Sequence, residues 1–140
     1  MIQNTINLIA ACAASTGALS QNVLQLANDA NPAELDLTGI ERIDLHFPKF
    51  TDGRAYSQAF LLRRRLGFQG ELRATGDVLV DQLQLMQRSG FNAAVLRADQ
   101  NLATAQRELA RFGDFYQGDA AHLAPLFSAD TLPRPTGAAA

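Results

Sequence analysis

The residues of this chain best equipped for chemistry are Arg54, Arg73 and Arg97, each at or just inside the point where an apparent strand gives way to a polar turn. A guanidinium is a planar, two-pronged donor, suited to sulfite, sulfate, phosphate or a carboxylate. Gly53 and Gly76 lie in the turns Thr51-Asp52-Gly53-Arg54 and Thr75-Gly76-Asp77, where backbone N–H groups at a helix start add further donors for an anion. The pattern therefore predicts an oxyanion site from Arg54, Arg73, Arg97, Gly53 and Gly76, inside a polar rim of Asp52, Tyr56, Ser57 and Asp77. The same residues also have plainer work open to them. Asp52, Asp77 and Asp99 fit as helix N-caps, and Arg54 and Arg73 fit as ion-pair partners of Asp77, Asp44 or Glu71.

No catalytic residue follows from these types and spacings. Ser57 has no histidine partner in view, and His46, two residues from Asp44, reads first as a strand histidine. The chain carries no G-x-G-x-x-G after a strand, no phosphate-binding Walker loop, no paired-histidine metal motif and no C-x-x-C. Cys12 is the only cysteine, which excludes an internal disulfide and any centre built from several thiolates of one chain. The cofactor is thus unknown and no metal site is expected. Arg63-Arg64-Arg65 reads as a solvated helix face.

The elements that must position these groups follow from hydrophobic periodicity. Ile43, Leu45 and Phe47 alternate with Asp44 and His46 at strand period, and Pro48 stops the run. A helix with Ala55, Ala59, Leu62 and Leu66 on its apolar face follows, ending at Gly67. The unit repeats: strand Glu71–Ala74, helix with Leu79, Leu83 and Met86 ending at Gly90, then strand Asn92–Arg97 and a helix with Leu102, Ala105 and Leu109 ending at Gly113. Gly67, Gly90 and Gly113 recur at a constant spacing, each two residues after an arginine suited to a helix C-terminus. Asn22–Ala27 reads as a first strand and Asp114–Gln117 as a last one.

Strand–helix repeats return the chain to the same sheet end, so the expected fold class is α/β with a mainly parallel sheet, either a partial β/α-barrel or an open sheet. Asp44, His46, Glu71 and Arg73 share the strand face opposite the apolar positions, which predicts either a face open to a partner, with a homodimer expected, or a polar interior. With 140 residues the chain is long enough for a single domain that buries roughly 70% of its surface. We divide it into an Ala-rich, weakly helical lead-in over 1–20, one α/β domain over 21–127, and a Pro- and Ala-rich tail over 128–140 expected to be disordered. Lys and Arg number 12 against 14 Asp and Glu, so no basic field draws in nucleic acid or a membrane surface. Nothing before Arg42 is Lys or Arg, and no apolar run approaches a membrane span. A cytoplasmic protein is expected.

The runs FPKFTDGRAYSQA, LLRRRLGF, GELRATGDVLVDQL and RSGF are very similar to a family of short bacterial proteins catalogued as a domain of unknown function. The resemblance is dense over about residues 40–97, and the chain departs from the family pattern at Asn92-Ala93-Ala94. Members of that family are often described as probable oxidoreductases of sulfite reduction, because their genes lie beside that of sulfite reductase in sulfate-assimilation operons. The resemblance implies an accessory or oxidoreductase component of assimilatory sulfite reduction, with sulfite reductase as partner and electrons drawn from it or from a bound reduced cofactor. Two other roles remain open on the residues alone: a non-catalytic adaptor docked on the reductase, using Arg63-Arg64-Arg65 and the surface around Tyr56, and a small-molecule sensor.

Overall fold

The computed structural model describes residues 6–14, 22–111 and 120. Five short strands, β1 (Asn7–Ile9), β2 (Val23–Leu26), β3 (Arg42–Phe47), β4 (Glu71–Gly76) and β5 (Ala93–Val95), form one sheet in the order β1-β5-β4-β3-β2. Every pairing is parallel. The helices are α1 (Ala11–Ala14), α2 (Arg54–Arg64), α3 (Leu83–Ser89) and α4 (Leu102–Arg111). The α/β class and the sequential neighbours β2 to β5 agree with the repeat. Among the described residues β1 and β2 are edges, so the sheet is open.

The alternation in β3 works as the sequence implies. Ile43, Leu45 and Phe47 are at most 1% exposed and pack with Leu72 and Ala74 of β4, with Ala55, Ala59 and Leu62 of α2, and with Leu83 and Met86 of α3. Crossovers of one hand that advance steadily along a sheet place their helices on one side. That side is the apolar one. On the other side the register sets Gln25, Asp44, Arg73, Ala93 and Asn7 in a single row, with Arg42 beside Glu71 in the next. Arg42 pairs with Asp44 at 2.9 Å and Arg73 with Glu71 at 2.6 Å. Asp44 is only 7% exposed and Ala93 is fully buried, so the middle of this polar face is enclosed.

Arg63 departs from its neighbours in the arginine triplet. Its Nε donates to Gly90 O at 2.9 Å, and Nη1 donates to Phe68 O at 2.8 Å and Gly70 O at 2.7 Å. One side chain thereby closes the end of α2, the approach to β4 and the end of α3. Burial lowers its pKa to about 10. Arg64 and Arg65 are the solvated members, Arg64 lying 5.5 Å over the Phe60 ring. Gly67 and Gly90 end their helices with φ of 66° and 111°, as the repeat predicts.

Several expectations are corrected. Residues read as a weakly helical lead-in contribute β1, which pairs with β5 through Asn7↔Ala93, Leu8↔Ala94 and Ile9↔Val95. A run this short carries too little alternation to register as a strand. Strand β4 runs on to Gly76, and β5 is held to Ala93–Val95. A 3₁₀ turn, Val80–Gln82, stands between β4 and α3, so Asp77 does not cap that helix. The expected features at Gly113, Asp114–Gln117 and 128–140 lie outside the described residues.

Candidate functional site

The loops that leave β2, β3, β4 and β5 converge at the carboxyl edge of the sheet, the usual ligand edge of a parallel array. Their polar side chains are spent mainly on one another. Asp52 accepts from Arg54 Nε at 3.2 Å, from Arg54 Nη2 at 3.1 Å and from the Arg54 backbone N–H at 3.1 Å. It also accepts from Asn28 Nδ2 at 2.5 Å, which links the loop after β2 to the loop after β3. Gly53, with no side-chain oxygen, occupies the N-cap of α2, and Asp52 acts one position earlier by taking the N–H of the first helical residue. The Arg54 side chain holds Asp52 below the usual carboxylate range.

Asp77 bridges rather than caps. One carboxylate oxygen accepts the Phe50 N–H at 2.7 Å, and the other accepts Arg97 Nη1 at 2.6 Å. Arg97 spends Nε and Nη2 on Asp99 at 2.6 and 2.7 Å. The guanidinium is thus clamped between two carboxylates, and it lowers the pKa of both, that of Asp99 to about 2. The Phe50 carbonyl in turn accepts Gln82 Nε2 at 2.7 Å, and Gln100 Oε1 accepts the Val80 N–H at 3.0 Å. Asn101, not Asp99, supplies the start of α4, accepting the Thr104 N–H at 3.1 Å.

The residues expected to gather around an anion are therefore distributed. Arg54 and Arg97 stand on the rim with two and three, respectively, of their five side-chain N–H donors bound to aspartates. Arg73 lies inside β4 on the polar sheet face, tied to Glu71. The N–H after Gly76 is taken by Phe47 O at 2.8 Å. Ser57 is exposed on α2. Tyr56 packs edge-on against Phe47 with ring centres 5.0 Å apart, and it faces Phe91 at 6.4 Å. Its hydroxyl is buried and has no hydrogen-bond partner in the structure; burial first, and then the charge of Asp81, push its pKa up to about 12.

Sequence reasoning missed Asn28 and Gln82 as rim fasteners and Phe50 as the residue that Gln82 and Asp77 hold. Neighbouring turn residues were the available signal, but which loops face each other depends on strand order. It also missed a cavity of about 190 Å³ where β1 and β5 end, lined in part by Ala10, Cys12, Leu96, Arg97, Gln100 and Leu102. Three of its eight lining residues come from the segment read as lead-in and five from the stretch after β5. Among the described residues no group of three or more His, Cys, Asp or Glu side chains forms a metal site, and no helix is long and apolar enough to cross a membrane.

The model for the family described as "Bacterial protein of unknown function (DUF934)" matches residues 23–127, which include β2 to β5 and the whole rim. No curated protein and no solved structure matches the chain.

Proposed function

We propose, on the premise that this chain belongs to the DUF934 family of bacterial proteins of unknown function, that it is a cytoplasmic accessory protein of assimilatory sulfite reduction that works by docking on sulfite reductase. The link to that pathway rests on the resemblance carried by FPKFTDGRAYSQA and GELRATGDVLVDQL. The choice of docking over turnover by the chain alone rests on one observation: Arg97, the best-placed rim cation, has Nε, Nη1 and Nη2 all donating to Asp77 and Asp99. A guanidinium so occupied has only two of its five N–H groups left for sulfite, and the aspartates beside it repel a dianion. What the ion pairs accomplish in place, with the Asn28–Asp52 and Phe50–Asp77 hydrogen bonds, is an outer surface that ties the four loops together.

A second reading, a small-oxyanion site feeding an oxidoreductase component, draws support from Arg54, whose side chain is 64% exposed beyond its Asp52 fork. The two readings part in one experiment. Purified protein is tested for binding to purified sulfite reductase by biolayer interferometry, and for binding of sulfite, sulfate and phosphate by calorimetry. Docking predicts saturable binding to the reductase and no heat from the anions. Sulfite binding that Arg54→Ala abolishes, without reductase binding, would replace the docking reading with the oxyanion one.

A further inference from the structure

We propose that Phe50 is the anchor by which this protein seats in its partner, an inference that rests on the docking reading. Phe50 is 47% exposed, at the tip of the loop between β3 and α2. Exposed phenylalanine alone is ordinary, and Phe60 on α2 shows the same 47%. What distinguishes Phe50 is how it is held. Its N–H is fastened by Asp77 and its carbonyl by Gln82, at 2.7 Å each, from residues 27 and 32 positions away in the chain. Asp77 is itself oriented by Arg97, and Arg97 by Asp99. A relay of charged groups across three loops fixes the backbone on both sides of one apolar ring that faces solvent.

That arrangement lowers the cost of binding. An aromatic ring on a floppy loop surrenders conformational freedom when it enters a pocket, whereas a ring on a pre-set backbone surrenders only its own rotamers. Energetic hot spots of protein interfaces are of this kind: a central aromatic surrounded by polar groups that exclude water once buried. Here the polar groups that hold Phe50 are Asp77 and Gln82, with Asp77 paired to Arg97 within the chain. Lys49, exposed beside Phe50, forms no ion pair among the described residues. The fitting partner is a protein surface with an apolar socket for one aromatic ring and a carboxylate at the edge of that socket.

The test is the affinity of full-length wild type, Phe50→Ala, Phe60→Ala, Asp77→Asn and the Phe50→Ala/Asp77→Asn double variant for purified sulfite reductase, with the thermal midpoint of each recorded. Phe50→Ala is expected to fold normally and to raise Kd at least tenfold, while Phe60→Ala changes it less than twofold. Asp77→Asn is expected to weaken binding only when Phe50 is present, so the double variant binds like Phe50→Ala. Wild-type binding that survives Phe50→Ala overturns the anchor and leaves docking intact, and an equal loss from Phe60→Ala overturns it too. Additive effects of the two substitutions overturn the positioning of Phe50 by Asp77. Absence of wild-type binding defeats the docking reading and the anchor together.

Discussion

Asp77 and Arg97 meet at 2.6 Å although α3 and twenty positions of chain lie between them. The contact joins the loop after β4 to the loop after β5, and through the Phe50 N–H it reaches the loop after β3. It makes the carboxyl edge one mechanical unit and exposes that unit to acid. Asp77 and Asp99 both have pKa values lowered in the folded state, with Asp99 at about 2. A depressed folded pKa adds stability that is present above the unfolded value and is lost as pH falls through the folded one. Stability should therefore decline between about pH 4 and pH 2. Asp77→Asn should flatten that decline, as followed by urea unfolding across the window.

Arg63 should matter far more than the arginines beside it. Arg63→Ala removes donors from Phe68 O, Gly70 O and Gly90 O at once and is expected to cost about 3 kcal/mol. Arg64→Ala, on the solvated side, should stay within about 0.5 kcal/mol of wild type. Denaturant midpoints with unchanged slopes would check both. Equal effects would show that the three carbonyls find other partners.

Gly76 cannot be replaced at its place in β4. With φ of 90°, a Cβ there would lie 2.3 Å from Phe47 O and 2.7 Å from His46 Cε1. Gly76→Ala is expected to destabilise the fold by about 3 kcal/mol through backbone strain and the clash with main chain. Gly53→Ala, whose added carbon comes no nearer than 3.9 Å to Tyr56, serves as control and should fold normally.

The hydroxyl of Tyr56 is a liability to the fold. Tyr56→Phe removes a buried, unpartnered polar atom and leaves the packing on Phe47 and Phe91 in place. It should raise stability by about 1 kcal/mol, read from the denaturant midpoint. In an ultraviolet pH titration it should remove the tyrosine that ionises near pH 12. A loss of stability would mean that the hydroxyl makes a contact in solution.

Much of this fold is legible in the sequence because its signals are local. Alternation at Ile43, Leu45 and Phe47 and the helix stops at Gly67 and Gly90 each depend on a few adjacent residues, and each marks a real element. The rim residues were legible as a neighbourhood, since every turn after a strand must reach the same edge. Their partners were not. Asp52, Asp77 and Asp99 fit helix caps by type and position, yet Asp77 reaches across the sheet to Phe50 and Arg97, a choice set by the order of strands. Strand β1 escaped notice because three residues cannot display a period, and its pairing with β5 joins distant parts of the chain.

That pairing also orders events in time. During synthesis Ala93–Val95 emerges 86 residues after its partner Asn7–Ile9, a wait of about 4–17 s at about 5–20 residues per second. Until then β2, β3 and β4 can assemble in sequence while the first strand stays without a place. Among the described strands, the β1–β5 contact thus waits on the completed run from β2 to β5. This long-range closure, and not the growth of the repeat, should set the folding rate.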